Sequence, residues 1–318
     1  MIGTVIVVWV LGAVSFLFNG ITMAAIVFSR SLWKVSSVFI FNIALADSLS
    51  GILIAVERSF KLLGKDTRFV ASVFGAASMT SLLTTLAVAF HNLILIRIDP
   101  FNRRQLATFP RCVAVCLIIW LADVAMYMVT YRGVDSVPFF SKVVIAFLIV
   151  IGAFAVTYVA VYATIARSMR NIGLSSDAYA QRMRKNKQIM CTFALIVGTN
   201  VICWFFMSFP LLLQFANPEA LLLYDSSTGR YGAPFWLSIF YIVAFMAVGT
   251  NSILNPIIYW TRLGDFRQLL RNWCRRRGDD ENPATLSTVS RNVARDLDKI
   301  KTTDTGVETV DHATGDSV

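Results

Sequence analysis

Seven long apolar stretches, separated by shorter polar connections, run through the chain at roughly 4–28, 38–56, 69–96, 112–129, 139–165, 189–215 and 234–260. A helix needs about 20 apolar residues to cross the ~30 Å hydrocarbon core, so each stretch predicts a membrane-spanning α-helix. Their unequal lengths imply tilted crossings. The predicted fold is an all-α integral membrane protein, a seven-transmembrane helix bundle over 1–261. After it, Phe266, Leu269, Leu270 and Trp273 alternate at helical spacing with Arg267, Arg271 and Arg275. That pattern predicts a short amphipathic eighth helix over 262–274, lying in the membrane surface. From 275 to 318 the chain turns polar; nine acidic and ten hydroxyl residues from Asp279 onward predict a disordered tail open to phosphorylation.

Composition supports the membrane reading. Of 318 residues 56% are hydrophobic and 15% charged, with a mean hydropathy of +0.64, whereas a soluble chain carries about 25% charged residues. The net charge of +10 does not point to nucleic acid, because the basic residues gather in alternate connections between spans. Eighteen Lys and Arg lie on one side of the predicted membrane and seven on the other. The positive-inside rule makes the richer side cytoplasmic, so the amino terminus is expected outside and the carboxyl terminus inside. The first span has no basic n-region and is longer than a signal-peptide core, which predicts a retained helix. None of Cys112, Cys116, Cys191, Cys203 and Cys274 falls in a predicted outer loop, so no external disulfide is expected.

Polar residues inside these spans are the informative ones. They are expensive in hydrocarbon, face the bundle interior and mark function. Asn19 lies in the first span, Asp47 in the second and Asp123 in the fourth. The last span carries Asn251, Ser252, Asn255 and Pro256 in the run G-T-N-S-I-L-N-P-I-I-Y from Gly249 to Tyr259. For Asp123 the expectation is a neutral carboxyl bonded to a third-helix hydroxyl, Ser78, Thr80 or Thr84. Glu57, about 15 Å beyond Asp47 along a helix axis, falls at the outer rim with Arg58. It either pairs with Lys61 in solvent or meets a ligand.

Asn255-Pro256-Ile257-Ile258-Tyr259 resembles the N-P-x-x-Y motif of the rhodopsin-like (class A) G-protein-coupled receptors. Other spans agree. Asn42-Ile43-Ala44-Leu45-Ala46-Asp47 is similar to the family's N-L-x-x-A-D, Trp120 to its fourth-helix tryptophan, Tyr162 with Ile165 to its Y-x-x-I, and Cys203-Trp204 to its C-W-x-P. The resemblance runs from about Asn19 to Cys274 and indicates no nearer subfamily. It departs from the family in several places. Phe206 stands where the sixth-helix proline is expected, Phe154 where the fifth-helix proline is expected, and Asn200 where a phenylalanine is usual. The Asp-Arg-Tyr triplet maps onto His91-Asn92-Leu93 or, counted back from Pro100, onto Asn92-Leu93-Ile94; either way its arginine is missing. Arg97 is a substitute for it or an ordinary positive-inside residue.

The resemblance implies a receptor in the cell membrane, not an enzyme; the two histidines lie with no nucleophile or metal-ligand set. It implies an extracellular ligand, small molecule or peptide, that shifts a two-state bundle toward a form open to a heterotrimeric G protein. The switch core would comprise Asn19, Asp47, Ser81, Trp204, Asn251, Ser252, Asn255, Pro256, Tyr259 and Tyr162. A sodium ion at Asp47, Ser81 and Asn251 is the further reading of that pocket, beside a simply hydrogen-bonded Asp47. Facing the G protein would be His91, Asn92, Arg97, Lys185 and Lys187, and around the ligand Glu57, Arg58, Phe74, Trp204 and Phe206. No aspartate stands near Phe74, which disfavours a biogenic amine. The basic segment 167–187 either docks a partner or attracts anionic lipid. Cys274 is a palmitoylation candidate or a reduced thiol, and the tail a substrate for kinase and then arrestin. The missing arginine leaves an alternative: a receptor-like decoy or scaffold that binds without activating G proteins. A transporter would show an internal repeat or broken helices in two halves, and neither is evident.

Overall fold

A computed structural model describes residues 2–98, 105–132, 148–157, 159–160, 163, 191–192, 194–206, 208–209 and 235–280. Among them are helices and short connections, with no strand. The helices are α1 (Ile2–Phe28), α2 (Val35–Leu62), α3 (Arg68–Leu93), α4 (Phe109–Arg132), α5 (Leu148–Thr157), α6 (Ala194–Phe206), α7 (Phe235–Arg262) and α8 (Gly264–Asp280). Five of them, α1 to α4 and α7, are long and apolar enough to cross a membrane; α5 and α6 are shorter apolar helices within the fifth and sixth expected spans. The chain divides into two compact units, 1–266 and 267–318. Arg97's side chain, Tyr162, segment 167–187 with Lys185 and Lys187, and the tail beyond 280 lie outside the described residues.

Within the first unit α2 is the hub, packed against α1, α3, α4 and α7, while α1 also meets α7 and α3 meets α4. Accordingly α2 and α3 bury most of their apolar surface, whereas α1 and α4 leave most of theirs outside, in side chains such as Phe16, Leu17, Leu117, Ile118 and Leu121. Outward Leu and Phe in this number suit helices that face lipid. A core of Ala76, Met79, Leu82, Tyr127, Val150, Phe154, Val197 and Trp204 joins α3, α4, α5 and α6. Phe154 is fully buried, so the residue in the expected proline's place acts as packing.

The ends of α2 and α3 follow from local chemistry. α2 stops where Gly64 takes φ +65, a left-handed conformation that side chains resist. Lys65 N–H then bonds Phe60 O at 2.9 Å and Gly64 N–H bonds Lys61 O at 3.2 Å, closing the helix as a Schellman turn. Asp66 Oδ1 accepts the first amide of α3, Arg68 N–H, at 2.9 Å, and its Oδ2 takes the Arg68 guanidinium at 2.8 Å. Those bonds hold the Asp66 carboxyl below the usual carboxylate range. α3 ends in a π-helical turn, Ile94–Ile98.

α1 and α2 approach unusually closely. A Cβ on Gly12 would lie 2.3 Å from the carbonyl oxygen of Gly51, and one on Gly51 would lie 3.0 Å from Ser15 Cβ and Oγ. Trp9 Nε1 donates to Ser59 Oγ across the same interface at 2.8 Å.

Candidate functional site

The polar residues of the spans converge on the α1–α2–α7 seam. Pro256 sits inside α7 and has no N–H, so the carbonyl four residues back, that of Ser252, loses its helical donor. Asn19 of α1 supplies one: its Nδ2 donates to Ser252 O at 2.9 Å and to Ser15 O at 2.9 Å. Asn19 is completely buried. The proline break in α7 and the asparagine in α1 are thus one feature, a freed carbonyl and its replacement donor.

One turn further along α7, Asn255 Nδ2 donates to Asp47 Oδ2 at 2.7 Å, tying α7 to α2. Ser15 Oγ reaches the backbone carbonyl of Asp47 at 3.3 Å. Several buried oxygens around these bonds have no hydrogen-bond partner: Asn19 Oδ1, Ser48 Oγ, Ser81 Oγ, Asn251 Oδ1, Asn255 Oδ1 and the Tyr259 hydroxyl. Ser81 faces the Asp47 carboxyl without reaching full hydrogen-bond geometry. Tyr259 itself is fully buried. So Asn19 is bonded to Ser252 and Asn255 to Asp47, with Ser15 linking the two pairs. Trp204 stands apart in the α3–α6 core, and Asn251 bonds instead to Asn200 Oδ1 of α6 at 2.7 Å.

A second set of bonds joins α2, α3 and α4. Trp120 Nε1 donates to Asn42 Oδ1 at 2.9 Å, and Asn42 Nδ2 donates to Thr84 Oγ1 at 2.7 Å. Thr84 Oγ1 in turn donates to Thr80 O at 2.6 Å. Asn42 spans three helices because its amide both donates and accepts. Asp123 Oδ2 accepts from Thr80 Oγ1 at 2.7 Å, one of the three hydroxyls expected from the sequence. Thr80→Val should therefore lower stability by about 1–3 kcal/mol, since it removes the donor from a buried carboxyl. Thr80→Val with Asp123→Leu should recover most of that loss, as thermal unfolding of the purified proteins would read. A double variant no more stable than Thr80→Val would refute it.

At the end of α3, His91 turns inward: it is buried, with its ring 5.5 Å from that of Phe39 in an edge-to-face contact, and neither ring nitrogen has a hydrogen-bond partner. Asn92 is half-buried. Lys34 pairs with Asp265 at the start of α8, Trp260 Nε1 donates to Thr22 Oγ1 at 3.0 Å, and the Trp260 ring meets Phe266 at 5.3 Å. At the far end of α2, Glu57 Oε2 lies 3.1 Å from Arg58 Nε. Phe74 packs against Val8, Ile54 and Ala55, and Phe206 meets Phe240 at 6.0 Å between ring centres. Glu57, Phe74 and Phe206 therefore lie in separate contacts. All five cysteines are free thiols; Cys191 and Cys274 are exposed.

Asn42, Thr84 and Asn200 join the buried bonds although the family resemblance assigns them no place in the switch core. The signal for Asn42 and Asn200 was available, an uncharged amide deep in an apolar span. Their partners were not, because a partner depends on how each helix is rotated.

Apolar helices of membrane-spanning length, joined by buried side-chain bonds around a last span with a proline inside it, define a multi-pass helical membrane protein. The chain belongs to the 7 transmembrane receptor (rhodopsin family), whose pattern matches residues 18–259. It is 24% identical over 292 residues to the adenosine receptor A2a of Homo sapiens, covering 80% of this chain and 67% of that receptor. It is 23% identical over 289 residues to the tachykinin-like peptides receptor 86C of Drosophila melanogaster, covering 78% of this chain and 54% of that one. A shorter likeness, 33% over 100 residues, links 30% of the chain to 15% of the human alpha-1D adrenergic receptor. The chain spans about two thirds of the length of the adenosine receptors it matches.

Proposed function

We propose that this receptor transmits an extracellular signal to a heterotrimeric G protein by rearranging α6 and α7 about the Asp47 site. The observation that carries the reading is the buried bond from Asn255 to Asp47, set among oxygens that have no partner. Buried groups with spare bonding capacity can settle into two bonded patterns, and a ligand that prefers one pattern shifts the population. Asn19, Asp47, Ser81, Asn251, Ser252, Asn255 and Tyr259 form that core, with Trp204 toward the ligand and Tyr162 toward the inner face.

Asp47, Ser81 and Asn251 are the residues that would hold a sodium ion. Ser81 Oγ and Asn251 Oδ1 are buried oxygens without donors, and with the Asp47 carboxylate they are the hard ligands such a cation takes. Bound there, the ion would supply the positive charge that keeps Asp47 ionised. The chain's own part is to hold these oxygens and to link Asp47 to α7 through Asn255.

The ligand is a small molecule or a peptide, in keeping with relatives named for adenosine and for tachykinin-like peptides. Glu57, Arg58, Phe74, Trp204 and Phe206 are the residues proposed to meet it. His91, Asn92, Arg97, Lys185 and Lys187 would face the G protein, with His91 turning outward in the open state. Residues 262–274 would lie on the inner membrane surface with Cys274 open to palmitoylation, and 275–318 would form a cytoplasmic tail for kinase and arrestin. The amino terminus lies outside the plasma membrane.

The test is ligand-independent nucleotide exchange in cell membranes over a panel of G proteins, with surface expression measured in the same cells. Wild type is expected to exceed receptor-free membranes. Asn92→Arg should raise the signal roughly tenfold, the worth of one charge-assisted hydrogen bond of about 1.5 kcal/mol. Silence in wild type with activity in Asn92→Arg would instead make the protein a binding receptor without coupling. Silence in both at normal surface expression would overturn the G-protein reading.

A further inference from the structure

Two asparagines join α6 and α7 inside the bundle. Asn200 and Asn251 are 1% and 5% exposed. Asn200 Nδ2 donates to Ile196 O one turn back, at 3.0 Å, which leaves its Oδ1 as the acceptor for Asn251 Nδ2 at 2.7 Å. The sense of both amides follows, since Asn251 can only present its nitrogen to α6. Its own oxygen points away and has no partner. One turn along the same face of α7, Asn255 also carries an unpartnered oxygen while its nitrogen holds Asp47. Residues four apart on a helix are close enough for their amides to bond.

Those groups allow two arrangements. With α6 against α7, Asn251 gives its proton to Asn200. When α6 turns or slides away, the buried Asn251 nitrogen loses its acceptor. Asn255 Oδ1, one turn away, is then an acceptor for it. We propose that Asn200 and Asn251 form a breakable clasp between α6 and α7, and that Asn251 exchanges Asn200 for Asn255 when α6 moves. The position of α6 is thereby tied to the Asp47 site through one rotating side chain. Trp204, four residues beyond Asn200 on the same face of α6, is buried against α3, α4 and α5, so a shift of that ring pulls on the clasp. The proposal rests on the receptor reading only for its premise that α6 has two positions.

The test uses the full chain in lipid nanodiscs, with Cys274→Ser so that the exposed thiol of Cys191 takes a trifluoromethyl label; Cys112, Cys116 and Cys203 are buried. Fluorine NMR reads the two positions as separate peaks. Asn200→Leu, which removes only the clasp bond, should enlarge the minor peak by about threefold to about twentyfold, the range interhelical hydrogen bonds carry in membranes, whereas Asn251→Leu removes the bond of both arrangements and should change it less. The double variant should behave as Asn251→Leu does. If Asn200→Leu fails to fold, Asn200→Ala removes the same acceptor and is read in the same way. Unchanged peak areas, or effects that multiply in the double variant, would overturn the clasp. Shifted peaks without nucleotide exchange would support the clasp while the G-protein reading fell.

Discussion

Gly12→Leu is expected to lower the melting temperature of the purified receptor by roughly 10 °C or to abolish surface expression. The added Cβ would stand 2.3 Å from Gly51 O and 3.1 Å from Gly51 C, and both are backbone atoms of a helix. Neither can swing aside as a flexible side chain would. α1 and α2 must separate, which loosens the Trp9–Ser59 and Ser15–Asp47 bonds across the same seam. Overpacking a tight interface costs about 1–3 kcal/mol and occasionally more; backbone contact puts this case at the upper end. At about 2–4 °C per kcal/mol that gives the stated shift. Gly20→Leu is the control, because a Cβ added at Gly20 in the same helix meets nothing within 4 Å. Its effect should stay within about 0.5 kcal/mol. Equal melting of the two variants would remove the claim that close approach of α1 and α2 is a main support of the fold.

The second large effect concerns Asn19. Asn19→Leu should destabilise the receptor by about 1–3 kcal/mol, because the carbonyl of Ser252, already without a helical donor, then has none at all. Pro256→Ala restores a backbone N–H to that carbonyl. The double variant Asn19→Leu with Pro256→Ala should therefore be more stable than Asn19→Leu alone. Thermal unfolding of wild type, both single variants and the double closes a mutant cycle, and the expected coupling is at least about 0.5 kcal/mol. Strict additivity would mean that Asn19 supports the bundle by some route other than the proline-freed carbonyl. Signalling should follow separately: Pro256→Ala frees Asn19 from its role as replacement donor to Ser252 O and is expected to reduce nucleotide exchange even where stability is regained.

These expectations differ in where they could have been read. The seven spans, the all-α class and the importance of Asn19, Asp47 and the Asn255-Pro256 pair were legible because a polar residue in an apolar run stands out. So was a third-helix hydroxyl as the donor to Asp123, because a carboxyl buried in an apolar span needs such a partner. The remaining partners were not legible. Asn42 meets Trp120 and Thr84, Asn200 meets Asn251, and His91 lies against Phe39, each because of how far its helix is turned about its axis. Nothing in a uniformly apolar sequence reports that turn.

The amino-acid sequence alone therefore determined how many crossings there are and which buried polar residues would seek partners, since a helix must be long enough to cross the hydrocarbon and a polar group is costly inside it. Which residues became those partners, and how closely the backbones approach at Gly12 and Gly51, was decided only by the tertiary structure. Side-chain bonds reach about 3 Å, and a small rotation of one helix is enough to exchange one neighbour for another.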